Sequence, residues 1–426
     1  MKILQVIHCF PPESMTGSEI YAYNLSKSLS KTHKVTVFYR INNTKKEEYK
    51  IIRDSYNGLD VYKINNTLRR YNSLEKIYKN RAIEEKFSQV LDEIRPDIVH
   101  IHHLLFLSTG IIDEIKKHNI PIVFTLHDYW LVCPRGQLLK SNLRLCKEPG
   151  RFSCIYCMAR ALNLKNLLSR LVNFSIRKNI LFKSRIREIY GKVDLFISPS
   201  LFLRNKFIKL GMPSRKIIYC NNGIGLGLFE DIQKTRADKI RFGFIGTLIS
   251  SKGIHVLIKA FKGIKQNNMV LKIYGTSPKN NGIFNYFNRV KNMARSNRHI
   301  RFMGTFNNKD IAGIFSNIDV LVVPSIWPEN SPMVIQEAFE SQTPVIASNI
   351  GGIPELVRDD VNGLLFKSGD VSDLRQKLKY VTDNPELLQK WRKNIPKVKD
   401  IEDNARELEK IYYSLLKSGQ GIICQH

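Results

Sequence analysis

The sequence predicts two doubly wound α/β domains in tandem, each a parallel sheet with helices on both faces. Three observations predict it. Short apolar runs alternate with amphipathic stretches along nearly the whole chain. A Gly-rich stretch, Asn221-Asn-Gly-Ile-Gly-Leu-Gly-Leu-Phe229, breaks the alternation, and a fresh apolar strand begins at Arg241. The length, 426 residues, suits two or three domains. The borders are placed at 1–218, 219–400 and a terminal helical segment, 401–426. The two halves share a βα rhythm without a detectable sequence repeat, which excludes a solenoid.

In chain order, Lys2–His8 is a buried-type strand, and Pro11-Pro12 and Thr16-Gly-Ser-Glu19 form the loop after it. A helix from about Ser18 to Lys31 carries Ile20, Tyr23, Asn24, Leu25 and Leu29 near a 3.6 period, and Lys34–Arg40 is the next strand. The result is a parallel βαβ unit. Its Gly17 loop lies at the carboxyl end of the first strand, where open α/β sheets bind ligands. Strands Leu59–Ile64, Asp97–His102, Ile122–His127, Asp194–Ser198 and Lys216–Cys220 follow. Helices are expected at Leu74–Ile94, Gly110–His118, Leu162–Tyr190 and Leu201–Leu210, and residues 129–160 read as irregular. In the second half the strands are Arg241–Gly246, Leu271–Gly275, Ile300–Gly304, Val320–Pro324, Pro344–Ala347 and Gly363–Phe366. Helices alternate with them at Gly253–Ile264, Phe284–Arg295, Lys309–Asn317 and Ser331–Gln342, and two more follow at 371–383 and 385–393. The last helix, about 403–417, sets Leu408, Ile411, Tyr412 and Leu415 on one face. Two such domains are expected to face each other across a central cleft, a preferred place for a pocket.

Composition excludes some classes. With 43% hydrophobic residues the chain can bury sizeable cores and is not of disordered type. No apolar run approaches the ~18 residues of a membrane span. The first strand, broken by Gln5 and His8, does not read as a signal peptide, so a cytoplasmic protein is expected. Disulfides among the seven cysteines are not expected in that compartment. The net charge of +29, from 67 basic and 38 acidic residues, favours an anionic partner. Nucleic acid, anionic lipid and a phosphate-rich substrate all fit that charge.

The densest chemistry is in Trp327-Pro-Glu-Asn-Ser-Pro-Met-Val-Ile-Gln-Glu337, entered directly from an apolar strand. Ser331 suits an N-cap and Pro332 a first helical position. A helix start between Glu329 and Glu337 could serve a ligand bearing both phosphates and hydroxyls, as a nucleotide sugar does. Glu337 projects to the shoulder of the apolar arc made by Val334, Ile335, Ala338 and Phe339, so a solvated role and a binding role both fit it. Phe244-Ile-Gly-Thr-Leu-Ile-Ser-Ser-Lys-Gly253 is a strand, a Gly turn and a lysine before a helix. Lys252 there is either a diphosphate ligand or a solvated loop lysine, and the P-loop order is absent. Cys133, Cys146, Cys154 and Cys157 fall in one short segment and close with a C-x2-C pair. They read either as a structural zinc site or as four buried thiols.

Taken together, Glu329 and Glu337 with seven residues between, Gly246…Lys252-Gly253, Asn222-Gly-Ile224, Gly351-Gly-Ile-Pro-Glu355 and Asn362-Gly-Leu-Leu-Phe366 resemble the retaining GT-B enzymes of glycosyltransferase family 4 along essentially the whole chain. The resemblance implies a GT-B fold whose final helix packs back on the first domain. It implies sugar transfer from a nucleotide-sugar donor with retention and without a catalytic metal. By the same resemblance Glu329 contacts donor-sugar hydroxyls and Glu337 the ribose. Asn330 and Ser331 offer backbone donors, Lys252 neutralises the diphosphate, and Gly246, Thr247 and Gly275 border the donor. His127, in Thr125-Leu-His-Asp128, points at the sugar, though a histidine at a strand end also fits a structural role. Gly17 and Ser18 line the diphosphate and acceptor loop. Thr247 stands where the family usually has arginine, Gly225 where it has aspartate, and Ser18 where a second glycine is usual.

The stretch 160–216 is strongly basic, with Leu162, Leu164, Leu167, Leu168, Leu171, Val172 and Phe174 interleaved in its first part. A basic, apolar helical face suits an anionic membrane surface and a polyprenyl-diphosphate-linked acceptor; a solvated helix packed on the sheet is the other reading. The expected protein is thus a hexose-type glycosyltransferase of bacterial cell-surface polysaccharide assembly, peripheral on the inner face of the plasma membrane. A non-catalytic nucleotide-sugar binder is the alternative. A nucleic-acid binder is the weaker one, since no basic–aromatic recognition module is present.

Overall fold

The structure is a computed structural model. It describes residues 1–68, 79–147, 149, 154, 157, 185–230, 232–235, 237–275 and 281–418. The expected helices at Leu74–Ile94 and Leu162–Tyr190 lie partly outside these residues; inside them, helix Arg81–Ile94 and a helical stretch at 185–192 are seen. The chain divides into two units, one of residues 1–141, 146–223 and 401–426, the other of 142–145 and 224–400.

The first unit holds an eight-stranded sheet. Its strands are β1 (Lys2–Ile7), β2 (Lys34–Ile41), β3 (Ile51–Tyr56), β4 (Leu59–Asn65), β5 (Ile98–Ile101), β6 (Ile122–Thr125), β7 (Leu195–Ser198) and β8 (Ile217–Tyr219), in the order β3-β4-β2-β1-β5-β6-β7-β8. Strands β5, β6 and β7 are buried at every residue, as a parallel strand covered on both faces must be. The sequence reading missed β3, which runs antiparallel to β4 with Tyr56 opposite Leu59. Asn57-Gly58 joins the pair in a two-residue hairpin turn, and the half-exposed β3 lacks the apolar run used to find the other strands. Strand order reverses between β1 and β5, which makes their carboxyl ends the place for a ligand.

Helix Ile401–Ser418 belongs to the first unit. Its Leu408 and Tyr412 are fully buried. Asn404 accepts from the Tyr21 hydroxyl at 2.8 Å and from the Gly223 N–H at 3.2 Å. Ion pairs at its rim join Glu402 to Lys31 at 2.7 Å and Glu409 to His33 at 2.8 Å.

The second unit holds a six-stranded, all-parallel sheet. Its strands are β9 (Ile240–Ile245), β10 (Met269–Tyr274), β11 (Ile300–Gly304), β12 (Val320–Val323), β13 (Val345–Ser348) and β14 (Gly363–Phe366), in the order β11-β10-β9-β12-β13-β14. This is the order of a dinucleotide-binding fold, with its switch point between β9 and β12. The apolar face of helix Met333–Glu340 gives Ile335, Ala338 and Phe339 to a core shared with Ile245, Leu321, Val323, Val345 and Ala347. That burial fixes the helix, and with it the loop that leads in from β12. Among the described residues no helix is long and apolar enough to cross a membrane.

Candidate active site

At the switch point of the second unit, the loops after β9 and β12 are tied together. The Ile326 N–H donates to the Ser251 carbonyl at 2.9 Å. Lys252 ends a short 3-10 turn, Ser250–Lys252, and Gly253 follows in a left-handed conformation before helix Ile254–Lys262. A Cβ on Gly253 would stand 1.7 Å from the Pro324 carbonyl oxygen, so only glycine lets the β9 loop lie this close to the end of β12. The Lys252 ammonium thereby reaches the Glu329 carboxylate, Nζ to Oε1 at 2.6 Å, and stands over the Trp327 ring. The Ser325 hydroxyl donates to the same oxygen at 2.6 Å. Glu329 is buried, at 4% exposure, so its charge is held by this cation and this hydroxyl. Sequence reasoning named Lys252 and Glu329 separately. It missed Ser325, which follows the apolar strand Val320–Pro324 and belongs to no motif.

Glu329 is also clamped from behind. Its carbonyl accepts from the Gly352 N–H at 2.8 Å, and a Cβ on Gly351, whose φ is 65°, would meet that carbonyl oxygen at 2.2 Å. The Ser348–Glu355 loop after β13 therefore fixes the Glu329 backbone. Asn330 is buried beside it. Gly246 and Gly275 end β9 and β10, with the Gly246 N–H on the Tyr274 carbonyl and the Gly275 N–H on the Gly304 carbonyl. Thr247 is half-buried just past Gly246.

Two expectations need correction. Ser331 is not the N-cap: the helix begins at Met333, Pro332 takes the cap position, and the Ser331 hydroxyl accepts from the Gln336 side chain at 3.2 Å. Glu337 is half-buried, not fully exposed to solvent. Its side chain keeps some solvent access, but its carboxyl is enclosed enough that burial pushes its pKa up to about 7.

The first unit gathers a second cluster at its own switch point. His127, just past β6, places Nε2 3.0 Å from His102 Nδ1, and His102 Nε2 lies 2.7 Å from Gln5 Oε1. Gln5, His102 and His127 thus form one hydrogen-bonded chain. His100 sits between hydroxyls, Nδ1 to Tyr412 at 2.6 Å and Nε2 to Thr125 at 2.7 Å. Burial pulls the pKa of both His127 and His100 down to about 3, so these rings are neutral. Gly17 and Ser18 open helix Gly17–Leu29 instead of lying in the loop before it. The Ser18 hydroxyl donates to Glu19 at 2.9 Å, and His8 Nε2 stands 3.3 Å from the same carboxylate. Burial alone would raise the Glu19 pKa. Hydrogen bonds from His8, Thr16 and Ser18 outweigh it and hold the group down to about 2. Sequence reasoning found His127, Gly17 and Ser18 but passed over His8, His102 and Glu19. The signal was present: His100-Ile-His-His103 ends β5 beside the strand end that carries His127.

Cys133, Cys146, Cys154 and Cys157 line one small cavity in the first unit. Among the described residues no three His, Cys, Asp or Glu side chains already stand in metal-ligand geometry. In the described part of the basic stretch, several bases are turned inward. Arg185 and Lys192 each reach Asp113 at 2.6 Å, and Lys216 and Arg204 bond backbone carbonyls.

Two Rossmann-like units, each with polar side chains collected at its strand-order reversal, make up a fold of the GT-B type. The comparisons carry this to a family: the profile of Glycosyltransferase Family 4 matches residues 15–227 and that of Glycosyl transferases group 1 matches 229–398, and the chain belongs to glycosyltransferase family 4. A 42.6 kDa protein of the Klebsiella pneumoniae cps region is 26% identical over 371 residues, 84% of this chain and 88% of that one. The Escherichia coli K12 protein WcaL, assigned as a glycosyltransferase of colanic acid biosynthesis, is 24% identical over 203 residues, 45% and 48% of the two chains. The Anabaena protein HepE, solved with UDP and glucose, superposes with a TM-score of 0.69 at 18% identity, covering 97% of this chain and 100% of that one.

Proposed function

We propose that the enzyme transfers a hexose from a nucleoside diphosphate sugar to a hydroxyl of a glycan or polyprenyl-diphosphate-linked acceptor, with retention, in cell-surface polysaccharide assembly. The observation that carries this reading is the Lys252–Glu329 pair, held at the switch point of the second unit with Glu337 on the next helix. The three side chains match the three parts of a donor. A diphosphate draws the Lys252 ammonium, sugar hydroxyls donate to Glu329, and ribose hydroxyls donate to Glu337. The HepE complex with UDP and glucose supports a nucleotide-sugar donor, and the K. pneumoniae and E. coli relatives support the setting.

Breaking the sugar–phosphate bond builds negative charge on the diphosphate and positive charge at the anomeric carbon. Lys252, fixed by the Gly253 turn, and the start of helix Met333–Glu340 stabilise the first. Glu329, an anion kept out of water, favours the second. The acceptor hydroxyl attacks from the leaving-group face, and Glu329 is not a covalent nucleophile. No divalent metal takes part, so chelation leaves turnover unchanged. His127, in the first unit, is a neutral hydrogen-bond partner. The bases between 160 and 184 bring the enzyme to an anionic membrane surface that carries its acceptor.

The test is a panel of nucleotide sugars, read by thermal shift and by release of nucleoside diphosphate. One or more donors should stabilise the fold and turn over, and Glu329→Gln should cut turnover by at least about a hundredfold while the fold holds. Stabilisation by no nucleotide or nucleotide sugar sinks the reading. Stabilisation without turnover for any acceptor supports a non-catalytic binder instead.

A further inference from the structure

We propose that Cys133, Cys146, Cys154 and Cys157 bind one structural zinc ion, as a four-thiolate site that staples the loop following His127. The fold brings together cysteines from three separate places in an irregular segment. Cys133 sits in a tight double turn: its N–H donates to the Tyr129 carbonyl at 2.7 Å, its carbonyl accepts from the Gly136 N–H at 2.7 Å, and the Tyr129 N–H closes the loop on the Gly136 carbonyl at 3.0 Å. Cys146 is tied to the same loop, its N–H on the Leu138 carbonyl at 2.7 Å. Cys154 and Cys157 are both helical and three residues apart, so their side chains share one face. All four line a cavity of about 20 Å3, room for one water-sized occupant. None of them is in a disulfide.

The surroundings suit a charged site. Four thiolates around one Zn2+ leave excess negative charge, and the cavity wall also carries Arg135 and Lys140. Arg135 already donates to Cys157 Sγ at 3.8 Å and to the Leu139 carbonyl at 2.8 Å, so it lies against a sulfur and braces the loop. Binding draws the four sulfurs, which do not stand in ligand geometry without it, to Zn–S distances of about 2.3 Å and releases the thiol protons to solvent. The ion does no chemistry. It holds the loop of residues 129–147, and therefore Asp128, whose carboxylate accepts from the Trp130 N–H at 2.7 Å beside His127.

The test is metal content. Full-length protein is purified from zinc-supplemented medium without chelator or histidine tag, its metals measured by plasma mass spectrometry and its thiols titrated with a mercurial. About one zinc per chain is expected, released as the mercurial consumes the clustered thiols. The Cys154→Ser/Cys157→Ser variant should lose the zinc, and Cys9→Ser should keep it. If the double variant does not fold, cobalt exchanged into the wild type should give the strong thiolate-to-cobalt absorption of a tetrahedral site. Zinc-free protein with every thiol reactive overturns the proposal. So do zinc retained by the double variant, disulfides among these cysteines, and iron with broad visible absorption. None of these readouts depends on sugar transfer.

Discussion

Lys252 and Glu329 depend on each other. Glu329 is buried, and Lys252 is its cation, with about a third of its own side chain in solvent. Removing one member of such a pair leaves an uncompensated charge, whereas removing both does not. Lys252→Ala should therefore lower the melting temperature more than the Lys252→Ala/Glu329→Gln double variant, and both should lose transfer. Equal destabilisation by the two would show that Ser325 alone satisfies Glu329. Glu337 gives a pH signature. Its folded pKa, about 7, lies above the ordinary carboxylate value of 4.5, so the folded state binds the proton more tightly and its contribution to stability falls as pH rises through that window. In the proposed ribose role the ionised form is the acceptor. Nucleotide affinity should then weaken from pH 8 to pH 6, and Glu337→Gln should flatten that slope in a calorimetric titration.

At the scale of elements, strand–helix alternation was legible because each parallel strand is a short apolar run buried on both faces. Val320–Val323 and Val345–Ser348 are examples, buried throughout. Strand β3 was not, since an edge strand need not be apolar, although Asn57-Gly58 announced its turn. The residues proposed for the donor site were legible as a spaced set. Their contacts were not: nothing in a linear pattern says that Gly351 backs onto Glu329 or that Ser325 shares its oxygen. Ser331 misled because serine before proline looks like a cap, while here Gln336 supplies its partner. The loop contacts carry a prediction. Gly351→Ala puts a methyl into the Glu329 backbone at a positive φ, so the β12 loop must move. Donor affinity should fall at least about tenfold with the secondary structure intact, as circular dichroism would report. Unchanged affinity would mean that the clamp does not position Glu329.

For the molecule as a whole, net charge pointed to an anionic partner but could not show where the charge is spent. Part of it is internal. Arg241, nearly buried, pairs with Asp319 at 2.7 Å, and burial pulls the Lys234 pKa down to about 7. The histidines of the first unit set the response to acid. Burial lowers the pKa of His8, His100, His102 and His127, so the folded chain keeps them neutral while the unfolded chain takes up protons near 6.5. Stability should fall steadily as pH drops from 6.5 towards 4, outweighing the opposite slope of the single Glu337. A melting temperature that is flat over this range would contradict the neutral cluster.

The Lys252–Glu329 ion pair has a consequence for how a catalytic cycle ends. On the donor reading, an intact nucleotide sugar replaces both halves of the Lys252–Glu329 contact, phosphate for the lysine and hydroxyls for the carboxylate. The spent nucleoside diphosphate can replace only one. It draws the lysine away and leaves Glu329 with the Ser325 hydroxyl alone. The pair re-forms as the nucleotide leaves. The Lys252–Glu329 pair thus competes with the spent nucleotide, which speeds clearance and lets fresh donor displace the nucleotide that accumulates.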